Sequence, residues 1–163
     1  MSTDDLPLRG PAGQSVAHLD ETDKAIIAEL LRDGRLSVRA IAERVHVSRA
    51  NAYARINRMT SDGTITGFTA RLDPQRVGLT ASAYVMLSIE QNTWRTVAQH
   101  LRKIPYVDHI ALVGGDFDVL VLVRTPDNAA LRHVVLERFH EIPGVRGTRT
   151  SLVFEETAGR GMG

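Results

Sequence analysis

Ser37 to Phe68 reads S-V-R-A-I-A-E-R-V-H-V-S-R-A-N-A-Y-A-R-I-N-R-M-T-S-D-G-T-I-T-G-F. Val38, Ile41, Ala42 and Val45 fall at i, i+3, i+4 and i+7, one apolar stripe of an α-helix. His46 and Val47 interrupt it. Ser48 then opens a second helix whose buried stripe is Ala52, Ile56 and Met59. Two short helices joined by a tight turn are a helix-turn-helix. Between Gly34 and Ser61 stand six arginines and one acid, Glu43, on a chain whose formal net charge is only +1. Cationic charge gathered on one element of a near-neutral protein suits a surface for phosphates.

Upstream, Asp20 to Arg32 predicts a further helix. Asp20, Glu21 and Asp23 sit where the helix dipole favours acids, and Ile26, Ile27, Leu30 and Leu31 form its inner face. Three helices with such short links are stable only when packed on one another. Downstream of Asp62-Gly63, Ile65, Phe68 and Leu72 with neighbouring threonines predict two short strands, a wing turning near Gly67. Asp73-Pro74 breaks the pattern.

Beyond Leu79 the period changes. Ala81 to Ile89 alternates, Thr93 to Ile104 is helical, Val107 to Val113 and Phe117 to Val123 are strands, Asp127 to Ile142 is helical, and Val145 to Phe154 is a last strand. That order, β-α-β-β-α-β, is the ferredoxin-like split unit, with an antiparallel sheet and both helices on one face. The fold class is therefore α+β. The expected organisation is a disordered tail at 1–17, a winged helix-turn-helix domain at 18–72, a linker at 73–79, a ferredoxin-like βαββαβ domain at 80–156 and a loose end at 157–163. Val119 to Val123 is apolar on both faces, which suits burial of the second face against another subunit, although central strands are often apolar throughout.

The composition, 43% hydrophobic and 24% charged, is that of an ordinary globular chain. With no cysteine there are no disulfides or thiolate metal sites. No apolar run spans a bilayer and no signal-peptide core opens the chain, so a cytoplasmic protein without membrane partners is expected. The six histidines lack metal-ligand spacing. No nucleophile elbow, P-loop or dinucleotide fingerprint occurs, and neither an enzyme nor a cofactor is expected.

On the second helix of the pair, Ser48 is the cap, and amides near Arg49 and Ala50 face outward at a positive dipole end. With Ala52, Ile56 and Met59 inward, the outward face is Arg49, Ala50, Asn51, Tyr53, Arg55 and Arg58. Arg49, Ala50 and Asn51 are placed for base edges, since Arg pairs with guanine and Asn with adenine in two-pronged fashion. Arg55, Arg58 and wing residues such as Thr66 are assigned to the backbone of duplex DNA. Ser37, opening the preceding helix, joins this candidate surface. In the second half, Gly114, Gly115, Asp116, Phe117 and Asp118 form a loop whose amides can face an anion while Asp116 or Asp118 receives an ammonium group. Read from the residues alone, a plain hairpin turn accounts for it better. Thr148 and Thr150 are candidates for a neighbouring pocket wall.

L-D-E-T-D-K-A-I-I-A-E-L-L-R-D-G-R-L-S, I-A-E-R-V-H-V-S-R-A-N-A-Y-A-R-I-N-R-M, D-G-T-I-T-G-F, D-P-Q-R-V-G and V-G-G-D-F-D-V-L-V-L-V together resemble the Lrp/AsnC (feast/famine) transcriptional regulators over about Leu19 to Glu155. Ala52 departs from the larger aliphatic usual there, and Phe68 from the commoner tyrosine. The resemblance implies a ligand-sensing second domain, homodimers joined through their sheets, further assembly to octamers, and a small-molecule effector, an amino acid, bound at the Gly114–Asp118 loop where dimers meet. An architectural DNA-binding protein without an effector is the alternative.

Overall fold

The computed structural model describes residues 18–157, so the tail read at 1–17 and all but Thr157 of the loose end at 157–163 lie outside the described residues. The chain divides into two compact units that meet at Arg71–Leu72.

The first unit holds α1 (Glu21–Arg32), α2 (Val38–Arg44) and α3 (Arg49–Ser61). Each begins at a side-chain cap. The Asp20 carboxylate accepts from the Asp23 amide, Ser37 Oγ from Ala40 and Ser48 Oγ from Asn51, satisfying amides that the first turn leaves without a carbonyl. Their stripes meet in a core of Ile26, Ile41 and Met59, flanked by Leu30, Val45, Ile56 and Ile65. Burying side chains of this size stabilises by about 1.5–3 kcal/mol each. The α2–α3 turn passes through His46 at φ 56°, a left-handed conformation that histidine tolerates better than most residues. Leu31, expected inside, is 55% exposed; it lies one residue beyond the stripe that Ile26, Ile27 and Leu30 define.

The two wing strands do not form. Residues 64–72 carry no strand pairing. Ile65 is tied back to α3, its amide donating to the Met59 carbonyl at 2.8 Å, while Phe68 and Leu72 are 57% and 68% exposed. An isolated two-stranded ribbon that buries one side chain is marginal in water.

The second unit follows the expected order: β1 (Ala81–Ile89), α4 (Trp94–Lys103), β2 (Val107–Leu112), β3 (Val119–Thr125), α5 (Asn128–His133) and β4 (Val145–Val153). All pairings are antiparallel, and the sheet order is β2-β3-β1-β4. One face carries Ala83, Val85 and Leu87 of β1 and Val119, Val121 and Val123 of β3. Against it pack Val97 and Leu101 of α4, Leu131 of α5, and Val134, Val135 and Phe139. The opposite face carries Tyr84, Met86 and Leu120, half-buried, and Leu122, 7% exposed.

Most ends shift by a residue or two, and two differences have a visible cause. Strand β3 starts at Val119, not Phe117, because the Asp118 amide donates to the Leu87 carbonyl and holds Phe117 and Asp118 in the loop. The last helix is α-helical only to His133 and continues as a π-helical stretch, Val134–Arg138. The Phe139 amide there donates to the Val134 carbonyl, five residues back. One extra residue in a turn leaves the apolar pattern nearly unchanged, so periodicity cannot register it.

Candidate nucleic-acid interface and effector loop

Helix α3 presents Arg49, Ala50, Asn51 and Tyr53 to solvent, all exposed, on the first turns after the Ser48 cap. No acid stands in that first turn, so the amide end of the helix keeps its positive potential. Ala52 and Met59 are fully buried beneath it, and Ser37 caps α2, exposed. The helix is thus seated by one face with the other available.

The arginines divide into three situations. Arg35 and Arg39 pair with Asp33 and Glu43 on the surface, at side-chain exposures of 93% and 79%. Such pairs contribute about 0–1 kcal/mol and exchange readily for a phosphate. Arg44 reaches Glu29 of α1 at 2.7 Å. Arg55 and Arg58, expected to lie along the DNA backbone, turn toward α1. Arg55 Nη1 donates to Asp20 Oδ2 at 2.7 Å and to Asp23 Oδ1 at 2.9 Å, while its Nε donates to Asn51 Oδ1 at 2.7 Å. Arg58 Nη2 donates to Asp23 Oδ2 at 2.6 Å. Arg49 alone of the six has no acidic partner among the described residues.

Asp23 is 1% exposed. Burial pushes its carboxyl up, but bonds from Arg58, Arg55 and the Asp20 amide outweigh this and hold it at about 2, below its ordinary 3.8. Asp20 is also lowered, first by the Asp23 amide and then by Arg55. Neither acid entered the sequence-based site. The signal was present: 23, 26, 27 and 30 follow the i, i+3, i+4, i+7 spacing, which puts an aspartate on the buried stripe of α1, where an acid needs partners. Asp23 ionises at lower pH in the folded than in the unfolded chain, so its contribution is complete above 3.8 and is lost as pH falls from 3.8 to about 2. Denaturant unfolding should show the margin of wild type over Asp23→Asn shrinking across that window; a constant margin would contradict the ion-pair account.

In the second unit the Gly114–Asp118 loop closes the β2–β3 connection. The Val113 amide donates to the Asp118 carbonyl at 2.9 Å, and Asp118 Oδ2 accepts from the Ile89 amide at 2.8 Å. Gly115 has φ 131°, a backbone few side chains tolerate. Gly114, Gly115 and Asp116 are exposed. Leu87 pairs with Val119 on one side and Thr148 on the other, which brings the loop and β4 to the same end of β1. There the Arg149 guanidinium lies 5.2 Å from the Phe117 ring centre. Thr148 shares a 3.2 Å hydrogen bond with His140 Nε2, and Thr150, two residues farther along β4 opposite Val85, is exposed. One oxygen of Asp118 therefore serves the fold, whereas Asp116 is open.

Residues 19–66 match the family model for winged helix-turn-helix DNA-binding domains, and residues 82–162 match that of the Lrp/AsnC ligand binding domain. The leucine-responsive regulatory protein of Escherichia coli is 33% identical over 141 residues, covering 85% of this chain and 86% of that protein. The chain belongs to the Lrp/AsnC family of transcriptional regulators. An HTH-type regulator of Pyrococcus abyssi is 35% identical over 135 residues, 83% of this chain and 85% of its own length. A Neisseria meningitidis transcriptional regulator solved as a complex with L-Met is 29% identical, covers 86% of this chain and 93% of that one, and superposes with a TM-score of 0.79. As a member of the Lrp/AsnC family the chain is a DNA-binding transcriptional regulator with a ligand-binding second domain, not an enzyme. No described helix is long and apolar enough to cross a membrane.

Proposed function

We propose that the chain is a sequence-specific, cytoplasmic regulator whose oligomeric state and operator binding respond to an amino acid or a related small effector. The observation that carries the DNA half is a capped helix, seated on a three-helix core, that exposes Arg49, Ala50, Asn51 and Tyr53. Supporting the effector half are the ligand-binding family model and the relatives described as leucine-responsive or complexed with L-Met. The Gly114–Asp118 loop, with Thr148 and Thr150 beside it, is the assigned contact: amides for a carboxylate, Asp116 and the second oxygen of Asp118 for an ammonium. The apolar sheet face of Tyr84, Met86, Leu120 and Leu122 supports homodimerisation through the sheets, and an effector bound where dimers meet can then shift dimers toward octamers only by binding one assembly more tightly.

Calorimetry with each common amino acid, followed by light scattering with and without any that bind, tests this half. Binding by at least one, weakened about 10- to 100-fold by Asp116→Asn or Asp118→Asn, is expected for loss of a charged hydrogen bond. A chain that binds none of them, or binds with both variants unaffected, returns the loop to a plain turn. Operator binding that ignores a bound effector would leave an architectural DNA-binding protein.

A further inference from the structure

We infer that Asp23 is the positioning residue of helix α3, holding Arg55 and Arg58 against the protein's own body so that sequence reading is confined to Arg49, Ala50 and Asn51. The inference rests on the reading of α3 as the DNA-contacting helix.

Both oxygens of Asp23 are used, one by each guanidinium, and the two arginines stand three residues apart on one side of α3. Two bonds from adjacent turns to one fixed point restrain the rotation of a helix about its axis as well as its distance from α1. The fixed point is itself rigid, because Asp23 belongs to the capping box that starts α1. From Arg55 the restraint passes on. Its Nε donates to Asn51 Oδ1, so the orientation of the one amide side chain in the first turn of α3 is set by Asp20 and Asp23 through Arg55. A buried ion pair contributes little net stability over an apolar replacement, whereas this one aligns an exposed side chain that can grip an adenine edge. It also keeps two cations from making phosphate contacts that carry no sequence information.

The experiment uses the full chain, a duplex that wild type selects from a randomised pool, and a scrambled duplex of the same composition, titrated across a salt series. With Asp23→Asn the guanidiniums lose their buried partner. Affinity for the selected duplex should fall about tenfold while that for the scrambled one holds or rises, and the salt slope should steepen by about 1–2 as freed arginines find phosphates. Base preference should relax at the position that Asn51→Ala also relaxes. Parallel loss on both duplexes, or an unchanged ratio, slope and base preference in a folded Asp23→Asn chain, overturns the inference. Should Asp23→Asn not fold, Asp20→Asn serves: Asp20 is half exposed, asparagine still caps the helix, and only Arg55 is loosened. A drop in the selected-to-scrambled ratio of about threefold, with relaxed base preference, is then expected if one charge-assisted bond to Arg55 is weakened; an unchanged preference sinks the idea. Wild type and Arg49→Ala run alongside. If wild type shows no preference for the selected duplex, or Arg49→Ala binds as wild type does, the reading of α3 fails and the positioning role with it; if both behave as expected, failure of the aspartate variants counts against the positioning role alone.

Discussion

Arg49→Ala is expected to weaken operator binding by about 10- to 100-fold, the range for losing one two-pronged contact with a base, while leaving the folded state as stable as before or slightly more so. The affinity loss follows from position and charge. Arg49 is exposed in the first turn of α3, directly after the Ser48 cap, and alone among the six arginines lacks an acidic partner among the described residues. The stability side follows from the helix dipole. A cation at a helix N-terminus is unfavourable by about 0.3–1 kcal/mol, so alanine relieves a small cost. Binding that falls while stability holds or rises separates a residue kept for DNA from one kept for folding. Fluorescence anisotropy on a selected duplex measures the first quantity and denaturant unfolding the second. Unchanged affinity would remove α3 as the reader. Arg35→Ala and Arg39→Ala, whose guanidiniums already sit in exposed pairs, are the comparison and should cost less.

Phe139→Ala should destabilise the second unit by about 3–5 kcal/mol, the usual range for removing a buried aromatic. Phe139 is fully buried among Val134, Val135, Leu131 and the inner face of β1 and β3. It directly follows the π-helical stretch, and its amide donates to the Val134 carbonyl. For a unit of this size, that loss lowers Tm on the order of 20 °C. The first unit has its own core around Ile26, Ile41 and Met59, so its unfolding should be much less affected. Calorimetry on the full chain resolves the two: a shift confined to one transition is expected, and a loss below about 1 kcal/mol would show that the site collapses around the missing ring.

Most of the architecture was legible because the apolar periods are long and clean. Alternation from Ala81 to Ile89 and the 3.6-residue stripes of α1, α3 and α4 leave little choice of element, and serine and aspartate caps mark where helices begin. The wing strands, the start of β3 and the π-helical stretch were not legible, each for a particular reason. Whether Ile65 to Leu72 pairs depends on how much apolar surface the ribbon finds to cover, and of its apolar residues only Ile65 packs against the three-helix core. Asp118 reads like the start of an apolar strand until its amide and carboxylate are seen to go to Leu87 and Ile89 of β1.

The candidate DNA surface divides in the same way. Local patterning along the chain decided that α3 is a capped, cationic helix with Ala52 and Met59 inward and Arg49 to Asn51 outward, because caps and stripes depend on neighbours within a few residues. Counting charge along that window put six arginines against one acid. Packing decided how many of those charges are available: α1 brings Asp20, Asp23 and Glu29 within 2.6–2.9 Å of Arg55, Arg58 and Arg44. The contacts from Asp23 cross 32 and 35 residues of chain. Coulomb interactions depend on distance in space, so no sum over a stretch of sequence reports which cations are already neutralised.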